Sequence, residues 1–116
     1  FDLDLKEHRS RFTVMVTTEF GRRVYENASL GTDHGRGFTF MALGARVRGG
    51  QVLGPWPFLP LDEGELIDPL GPGGIKPEID YRDVFAEVLL GAYGLTEKER
   101  QVVFPGLDSK FVGIMG

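Results

Sequence analysis

The sequence predicts an α/β fold in which buried, mostly parallel strands are joined by long irregular loops. Residues 12–17 and 38–43 are short runs rich in β-branched and aromatic side chains, apolar on both faces, which is typical of strands covered on both sides. Residues 84–92 carry an apolar stripe at helical spacing. Seventeen glycines and seven prolines among 116 residues favour long connections, and the length favours one domain.

A polar turn follows the first strand and contains Glu19, Arg22 and Arg23. It lies at the carboxyl end of the strand, where open α/β sheets bind ligands. Glu19 is therefore a candidate metal ligand or general base, and Arg22 is a candidate for holding an anionic group by a bidentate contact. The structural alternative is an ion pair of Glu19 with Arg22 or Arg23 that closes the strand end.

Residues 25–37 form a polar, glycine-rich stretch that we interpret as an ordered loop before the second strand. It contains Asp33 and His34 between glycines, and a carboxylate next to an imidazole can turn toward one divalent cation. Two ligands do not complete a site, and a turn held by hydrogen bonds is the alternative. The triplet that begins at Asn27 matches the acceptor for N-glycosylation, a match that chance often produces.

The region after the second strand is predicted to lose regular order. A Gly-Gly pair indicates a hairpin over residues 46–54. Between residues 55 and 77, prolines and glycines alternate with apolar side chains, which predicts an irregular excursion. We expect aromatic contacts of Trp56 and Phe58 to pin it, as core cover rather than as a platform for a sugar.

Two helices and an extended tail are predicted for the C-terminal region. Asp80 is the expected N-cap of the first helix, and Gly94 ends it. Thr96 is the expected cap of a short second helix, which Phe104 and the following Pro-Gly terminate. The apolar but glycine-broken tail at residues 111–116 is expected to dock as an extended segment.

Composition excludes several classes of function. The net charge of −4 and the scattered basic residues argue against nucleic-acid binding. No run of 18 apolar residues is present, so we predict no transmembrane segment. Cysteine is absent, which excludes disulfides and thiolate metal sites. The first residue is Phe1, and we expect an upstream part of the protein.

Six stretches spread over nearly the whole chain carry a joint pattern: residues 14–22, Asn27, and residues 31–34, 49–54, 80–89 and 104–106. This pattern resembles the C-terminal part of the bacterial sulfatase-like proteins called domain of unknown function 1501. That family is similar in fold to the alkaline phosphatase superfamily. The resemblance implies that residues 1–116 are the C-terminal portion of a three-layer α/β/α sandwich whose N-terminal half is missing, with a metal site at the C-terminal edge of its mostly parallel sheet.

The resemblance also implies the site residues. In superfamily hydrolases a buried strand ends in Thr-x-Asp-His-Gly, whose Asp and His bind metal, whereas here Glu19 and Phe20 stand in those two places and Phe20 cannot ligate. Asp33 and His34 fall where several sulfatase-like enzymes place a further histidine. The implied ligands of a divalent ion, zinc, calcium or magnesium, are therefore Glu19, Asp33 and His34.

The implied function is part of an exported metal-dependent sulfatase or phosphatase, inactive as this fragment alone. The nucleophile and first metal aspartate of the superfamily lie in the N-terminal half, which would come from the same chain or from another chain of the assembly. Arg22 or Arg36 would help neutralise the transition state. The alternative is a non-catalytic component of the cell envelope or surface that keeps the fold. Family members look exported through a twin-arginine signal, which implies a periplasmic or cell-surface location.

Overall fold

The structure, a computed structural model, describes residues 2–54, 68, 70 and 73–116. It divides into two compact units. Unit 1 comprises Phe1–Met15, Ala42–Gly54 and Ile79–Gly116, and unit 2 comprises Val16–Met41 and Pro55–Glu78. The expected aromatic contacts of Trp56 and Phe58 lie outside the described residues.

Short elements and long connections make up the described chain, as the glycine and proline content predicts. In chain order the elements are α1 (Asp2–Leu5), a 3₁₀ helix (Lys6–Arg11), β1 (Thr13–Val16), β2 (Gly21–Arg22), β3 (His34–Gly35), β4 (Met41–Gly44), α2 (Tyr81–Tyr93) and α3 (Glu97–Val103). Within the described residues, no helix is long and apolar enough to cross a membrane, as the sequence predicts.

The two predicted strands both form, as β1 and β4, and they pair with each other in a two-stranded sheet. They are shorter than predicted, and β4 begins three residues later than expected, at Met41. Met41 and Leu43 are each 57% exposed, so the described residues do not cover both faces of β4, and its burial in a larger sheet stays a prediction. A continuous apolar run is typical of a strand that is buried on both faces. Within the described residues each of these two strands has a single neighbouring strand. The wider parallel sandwich stays a prediction.

Helix α2 forms as predicted because both of its ends are specified locally. The Asp80 side chain accepts a hydrogen bond from the Arg82 backbone N–H at 2.9 Å. Gly94 closes the helix in the left-handed conformation, at φ 66°, and its N–H donates to the Leu90 carbonyl. The buried apolar side chains described in unit 1 come from α2, from the segment after α3 and from the tail: Val84, Ala86, Val88, Leu107 and Met115.

Helix α3 confirms the predicted cap at Thr96. The Thr96 hydroxyl accepts from the Glu99 backbone N–H, and the Glu99 carboxylate accepts from the Thr96 backbone N–H at 2.8 Å, which completes a capping box. Arg100 is buried and donates to the Leu107 carbonyl at 2.8 Å and to the Glu97 carboxylate at 2.7 Å. Because its guanidinium has these acceptors, the buried charge is paired.

The C-terminal tail docks as an extended segment, and it replaces the partner expected for residues 46–54. Val47 forms an antiparallel bridge with Met115. The Arg48 N–H donates to the Ile114 carbonyl, and the Gly116 N–H donates to the Arg46 carbonyl, both at 2.9 Å. The predicted hairpin around the Gly-Gly pair is therefore wrong. A turn motif indicates where a chain can reverse, but the tail supplies a pairing strand that no local motif reveals.

Unit 2 is built on a short ribbon packed through glycines. Strands β2 and β3 are antiparallel, with Gly21 opposite Gly35 and Arg22 opposite His34. The Gly37 N–H donates to the Ile75 carbonyl at 3.1 Å, which adds a third segment beside the ribbon. A Cβ atom on Gly21 would lie 1.6 Å from the Gly37 carbonyl oxygen, so only glycine permits this approach. Close backbone packing therefore leaves no room for a side chain at position 21.

Candidate functional site

The loop before β3 is organised by one residue, Asn27. Its side-chain Oδ1 accepts from the backbone N–H groups of Ser29 at 2.9 Å and Gly31 at 3.1 Å. Its own backbone N–H donates to the Gly31 carbonyl, and its carbonyl accepts from the Leu30 N–H. An Asn side chain that bonds the backbone two residues ahead is a common way to build a turn. The expectation of an ordered loop is confirmed.

Leu30 lies at the tip of this loop in a strained conformation. Its φ of 59° is in the left-handed region, and its side chain is 84% exposed. Leucine pays a steric penalty of about 1 kcal/mol there, because its Cβ approaches the following carbonyl. The hydrogen bonds of Asn27 offset that cost and keep the turn closed.

Asp33 ends the loop with its carboxylate held in place. Asn27 Nδ2 donates to Asp33 Oδ1 at 3.0 Å. Arg23 Nη1 lies 3.8 Å from Asp33 Oδ2, a loose and exposed ion pair that contributes little to stability. The Asp33 carbonyl accepts from the Arg23 N–H at 2.9 Å and so ties the loop to the end of β2.

His34 follows in β3, directly opposite Arg22. Its ring packs on the Phe20 ring, with centroids 3.8 Å apart and planes tilted by 34°. Both ring nitrogens of an imidazole lie at the edge of its plane, so contact through the ring face leaves them able to bind a ligand. Asp33 and His34, the adjacent pair singled out from the sequence, are both exposed.

The Arg22 side chain contacts the same Phe20 ring as His34. Its guanidinium carbon is 5.1 Å from the centroid of the Phe20 ring, at cation–π distance, and Nη1 donates to the Thr32 carbonyl at 2.7 Å. Phe20 therefore contacts both Arg22 and His34 and links the turn after β1 to the ribbon. Among the contacts of the described residues, that carbonyl uses one of the five guanidinium N–H donors of Arg22.

Arg36, the second predicted arginine, is engaged elsewhere in unit 2. Its Nε and Nη2 donate to the two carboxylate oxygens of Asp68, and the Nη2 bond is 2.5 Å long. Asp68 is 0% exposed, and its carboxylate raises the pKa of Arg36. A fork-shaped pair with a buried carboxylate is a strong structural contact. It reduces the capacity of Arg36 to stabilise an anion.

Glu19 is exposed and does not join the other two predicted ligands in a cluster. Over residues 2–54, 68, 70 and 73–116, no three His, Asp or Glu side chains gather as they would around one metal ion. The alternative, an ion pair of Glu19 with Arg22 or Arg23, is also not found among the contacts of the described residues. Arg23 instead pairs with Asp33. Asp33 and His34 are adjacent in the sequence and Glu19 does not join them in a ligand group, so the metal assignment stays a prediction.

Comparison with family models decides the relationship of the chain. The model described as "Protein of unknown function (DUF1501)" matches residues 2–104. The chain belongs to the DUF1501 family. No curated protein and no solved structure matches this DUF1501 chain. The resemblance to this family, inferred above from the sequence, is therefore confirmed.

Two buried carboxylates of this DUF1501 chain were missed by sequence reasoning. Glu87, 7% exposed, accepts from the backbone N–H groups of Val112 at 2.7 Å, Gly113 at 3.0 Å and Met115 at 2.9 Å. Asp83, 8% exposed, accepts from the Lys110 N–H at 3.0 Å. Acidic residues spaced four apart beside an apolar helical stripe were the available indication.

Proposed function

We propose that this DUF1501 chain forms part of a metal-dependent hydrolase of sulfate or phosphate esters. The observation that carries the proposal is the adjacent pair Asp33 and His34, exposed where the loop enters β3, with a hydrogen bond from Asn27 to the Asp33 carboxylate. Imidazole nitrogen and carboxylate oxygen are both ligands of zinc. A hydrogen bond to a ligating carboxylate is the usual outer-shell support of such ligands.

Asp33 and His34 supply two of the ligands that a metal site needs. Asp33 and His34 would hold a divalent ion, zinc, calcium or magnesium, and we propose that further ligands come from outside the described residues. When bound, such an ion polarises the ester oxygens. Arg22, whose Nη1 donates to the Thr32 carbonyl, would bind the anionic group of the ester through its other guanidinium donors. Glu19 stays a further candidate ligand, and Arg36 is the weaker candidate for the anion because Asp68 already holds it.

The wider architecture is part of the same proposal. We propose that residues 1–116 are the C-terminal part of a sulfatase-like domain, a three-layer α/β/α sandwich of the alkaline phosphatase superfamily. Exposed apolar side chains on β1 and β4, such as Val16 and Leu43, support the proposal, because strands of that sandwich are covered by neighbours. The nucleophile and the remaining ligands would lie in the other part of the domain, so this chain is inactive alone.

A non-catalytic component of the cell envelope or surface is the second candidate. Two contacts favour it. Phe20, which stands where superfamily hydrolases have a metal-binding histidine, packs on His34, and Arg36 is held by the buried Asp68. In both cases a candidate catalytic group takes part in a structural contact.

Export to the periplasm or cell surface is proposed for either function, from the resemblance alone. Fractionation of cells that produce the full-length protein tests it. Recovery in the periplasmic or surface fraction is expected, and recovery in the cytoplasm alone would contradict it.

Ester hydrolysis by the full-length protein tests the catalytic proposal. We expect turnover of p-nitrophenyl sulfate or p-nitrophenyl phosphate that a chelator abolishes and added divalent metal restores. Asp33→Ala with His34→Ala should lower kcat/KM by at least about 100-fold. Loss of a group that only hydrogen-bonds a metal ligand already lowers activity by about 10–100-fold, and here the ligands themselves are removed. His8→Ala is the matched control, since the only other histidine is exposed in the 3₁₀ helix. Turnover unaffected by the double variant would exclude this site.

A further inference from the structure

We infer that one face of α2, together with residues 46–48, is a binding surface for an extended peptide, and that the tail is its exchangeable internal occupant. We name this face and this segment the tail-binding surface. It consists of residues of unit 1, whereas Asp33 and His34 belong to unit 2. The tail-binding surface therefore takes part in no step of the proposed hydrolysis.

The helical side of the tail-binding surface accepts backbone groups. Asp83, Glu87 and Gly91 follow one another at intervals of four residues along α2, so they lie on one face of the helix. Both acidic side chains are buried. Their carboxylates accept from the backbone N–H of Lys110, just before the tail, and from those of Val112, Gly113 and Met115 within it. The two charged acceptors thus bind the main chain of the tail.

Residues 46–48 form the other side of the tail-binding surface. Their backbone pairs with residues 114–116 through hydrogen bonds of 2.9 Å. Arg46 Nη1 donates to the Gly91 carbonyl at 3.0 Å and so ties this segment to α2. Addition of an extended segment to the backbone groups of a protein is a common way of binding a peptide.

Met115 is the tail side chain that this surface encloses. Of residues 111–116, all of which the structure describes, Met115 alone is buried. A Cβ atom on Gly91 would lie 2.8 Å from the Met115 Cβ, so the lack of a side chain at position 91 makes room for Met115. Phe111, by contrast, is 66% exposed. In peptide binding by strand addition, main-chain hydrogen bonds likewise give affinity and a pocket for a side chain gives specificity.

The tail can leave this surface without dismantling it. A segment held by one buried side chain and by backbone hydrogen bonds opens locally at a lower free energy than a packed helix. The acceptors Asp83 and Glu87 belong to α2, which has its own caps at Asp80 and Gly94. They therefore stay in place for a second copy of the same segment, supplied as a separate peptide.

A proline in the tail should empty the surface in the full-length protein. Val112→Pro removes the N–H that donates to Glu87 Oε2 at 2.7 Å. We expect this variant to stay folded, with fast hydrogen exchange at Gly113 and Met115. A fluorescent peptide of residues 108–116 should bind it, as measured by anisotropy. The same peptide should bind wild type at least about 10-fold more weakly, because the wild-type tail occupies the surface.

Matched peptides and a second protein variant test which contacts are used. A peptide with Phe111→Ala should bind as tightly as the unchanged peptide, because Phe111 is exposed. A peptide with Val112→Pro should bind about 10–100-fold more weakly, since it lacks a hydrogen bond to a charged acceptor. Adding Glu87→Gln to the Val112→Pro protein should weaken binding of the unchanged peptide by a similar factor.

Several results would overturn the inference. Loss of the whole fold in the Val112→Pro protein, seen by circular dichroism and urea denaturation, would make the tail an integral part of the fold. Slow exchange at Gly113 and Met115 in that protein would show that the backbone contacts do not hold the tail. A folded variant with an open tail that binds no peptide, or binds the unchanged and the Val112→Pro peptides equally, would show that the surface is not a peptide-binding site.

Discussion

Glu87 shows how a single buried side chain can hold a whole segment. Its carboxylate accepts three backbone N–H groups of the tail, while its position on α2 is set by the helix. The hydrogen bonds come from backbone N–H groups, which every residue except proline has. The tail sequence is therefore less constrained by these bonds than Glu87 itself.

Substitution Glu87→Gln tests this at the residue scale. Glutamine has one acceptor oxygen, and its NH₂ group would face backbone donors, so buried N–H groups lose their partner. We expect the free energy of unfolding to fall by about 1–3 kcal/mol. Urea denaturation measures it, and hydrogen exchange should quicken at Val112, Gly113 and Met115.

Glu78→Gln is the matched control for that variant. Glu78 is exposed and pairs only with Lys76 in the described contacts, so its loss should change stability by less than about 1 kcal/mol. Equal effects of the two substitutions would show that Glu87 is not an anchor.

The candidate site residues were accessible to sequence reasoning to different degrees. Asp33 and His34 could be singled out because a carboxylate and an imidazole, both potential metal ligands, are adjacent in the sequence. The residues that contact the site residues could not be predicted, since the sequence did not indicate that Asn27 binds Asp33, and Asp68 lies 32 residues from the Arg36 that it holds. Partners far apart in sequence leave no local pattern.

Glycine packing decides the stability of the β2–β3 ribbon at the scale of an element. Gly21→Ala would force Cβ against the Gly37 carbonyl, a backbone atom that cannot move aside without opening the ribbon. We expect a loss of about 2–4 kcal/mol in the free energy of unfolding, as for other strained or overpacked sites. Urea denaturation measures it.

Gly49→Ala is the control for Gly21→Ala. A Cβ on Gly49 would have no heavy atom of the described residues beyond its chain neighbours within 4 Å, so alanine there should change the free energy of unfolding little. A neutral Gly21→Ala would mean that the close approach of the two backbones is not maintained in solution.

The helix ends of unit 1 should make stability depend on acid. Hydrogen bonds from Arg82 lower the pKa of Asp80, those from Arg100 lower the pKa of Glu97, and those from Thr96 lower the pKa of Glu99. A carboxylate with a lowered pKa stabilises the fold fully above its unfolded value, near pH 4, and this stabilisation is lost as pH falls through the folded value.

Urea unfolding from about pH 7 to about pH 3 tests the dependence, which should become steep only below about pH 4. Asp80→Asn keeps an N-cap acceptor but cannot titrate, so it should flatten the curve. A wild-type curve with no loss of stability in acid, or an Asp80→Asn curve as steep as wild type, would contradict the assignment.

Elements differ in how far local sequence specifies them. Helices α2 and α3 were predicted with their caps because Asp80, Gly94 and Thr96 act on their own neighbours. The hairpin predicted for residues 46–54 does not form, because its first segment pairs with a tail more than 60 residues away, as in the Arg48–Ile114 hydrogen bond. Competition between a local turn and a distant strand is invisible to any window of sequence.

The whole molecule leaves many large apolar side chains exposed. Val16, Leu30, Met41, Val52 and Val102 are examples from the two units. Isolated exposed apolar residues are ordinary, but this number in a short chain favours a partner that covers some of them. The proposed partner is the remaining part of the domain, in the same polypeptide or in another chain.

Residues 1–116 expressed alone test that need. We expect them to aggregate or to bind a hydrophobic dye strongly, whereas the full-length protein should stay monodisperse or assemble in a defined way. Light scattering and thermal unfolding distinguish the two. A monomeric, cooperatively unfolding fragment would show that no covering partner is needed.

Metal content of the full-length protein, measured by inductively coupled plasma mass spectrometry after native purification, tests the central claim most directly. The account predicts a stoichiometric divalent ion in wild type and its loss in Asp33→Ala with His34→Ala, with His8→Ala unchanged. Stoichiometric metal that survives the double substitution, or none in wild type after growth with added metals, would contradict it.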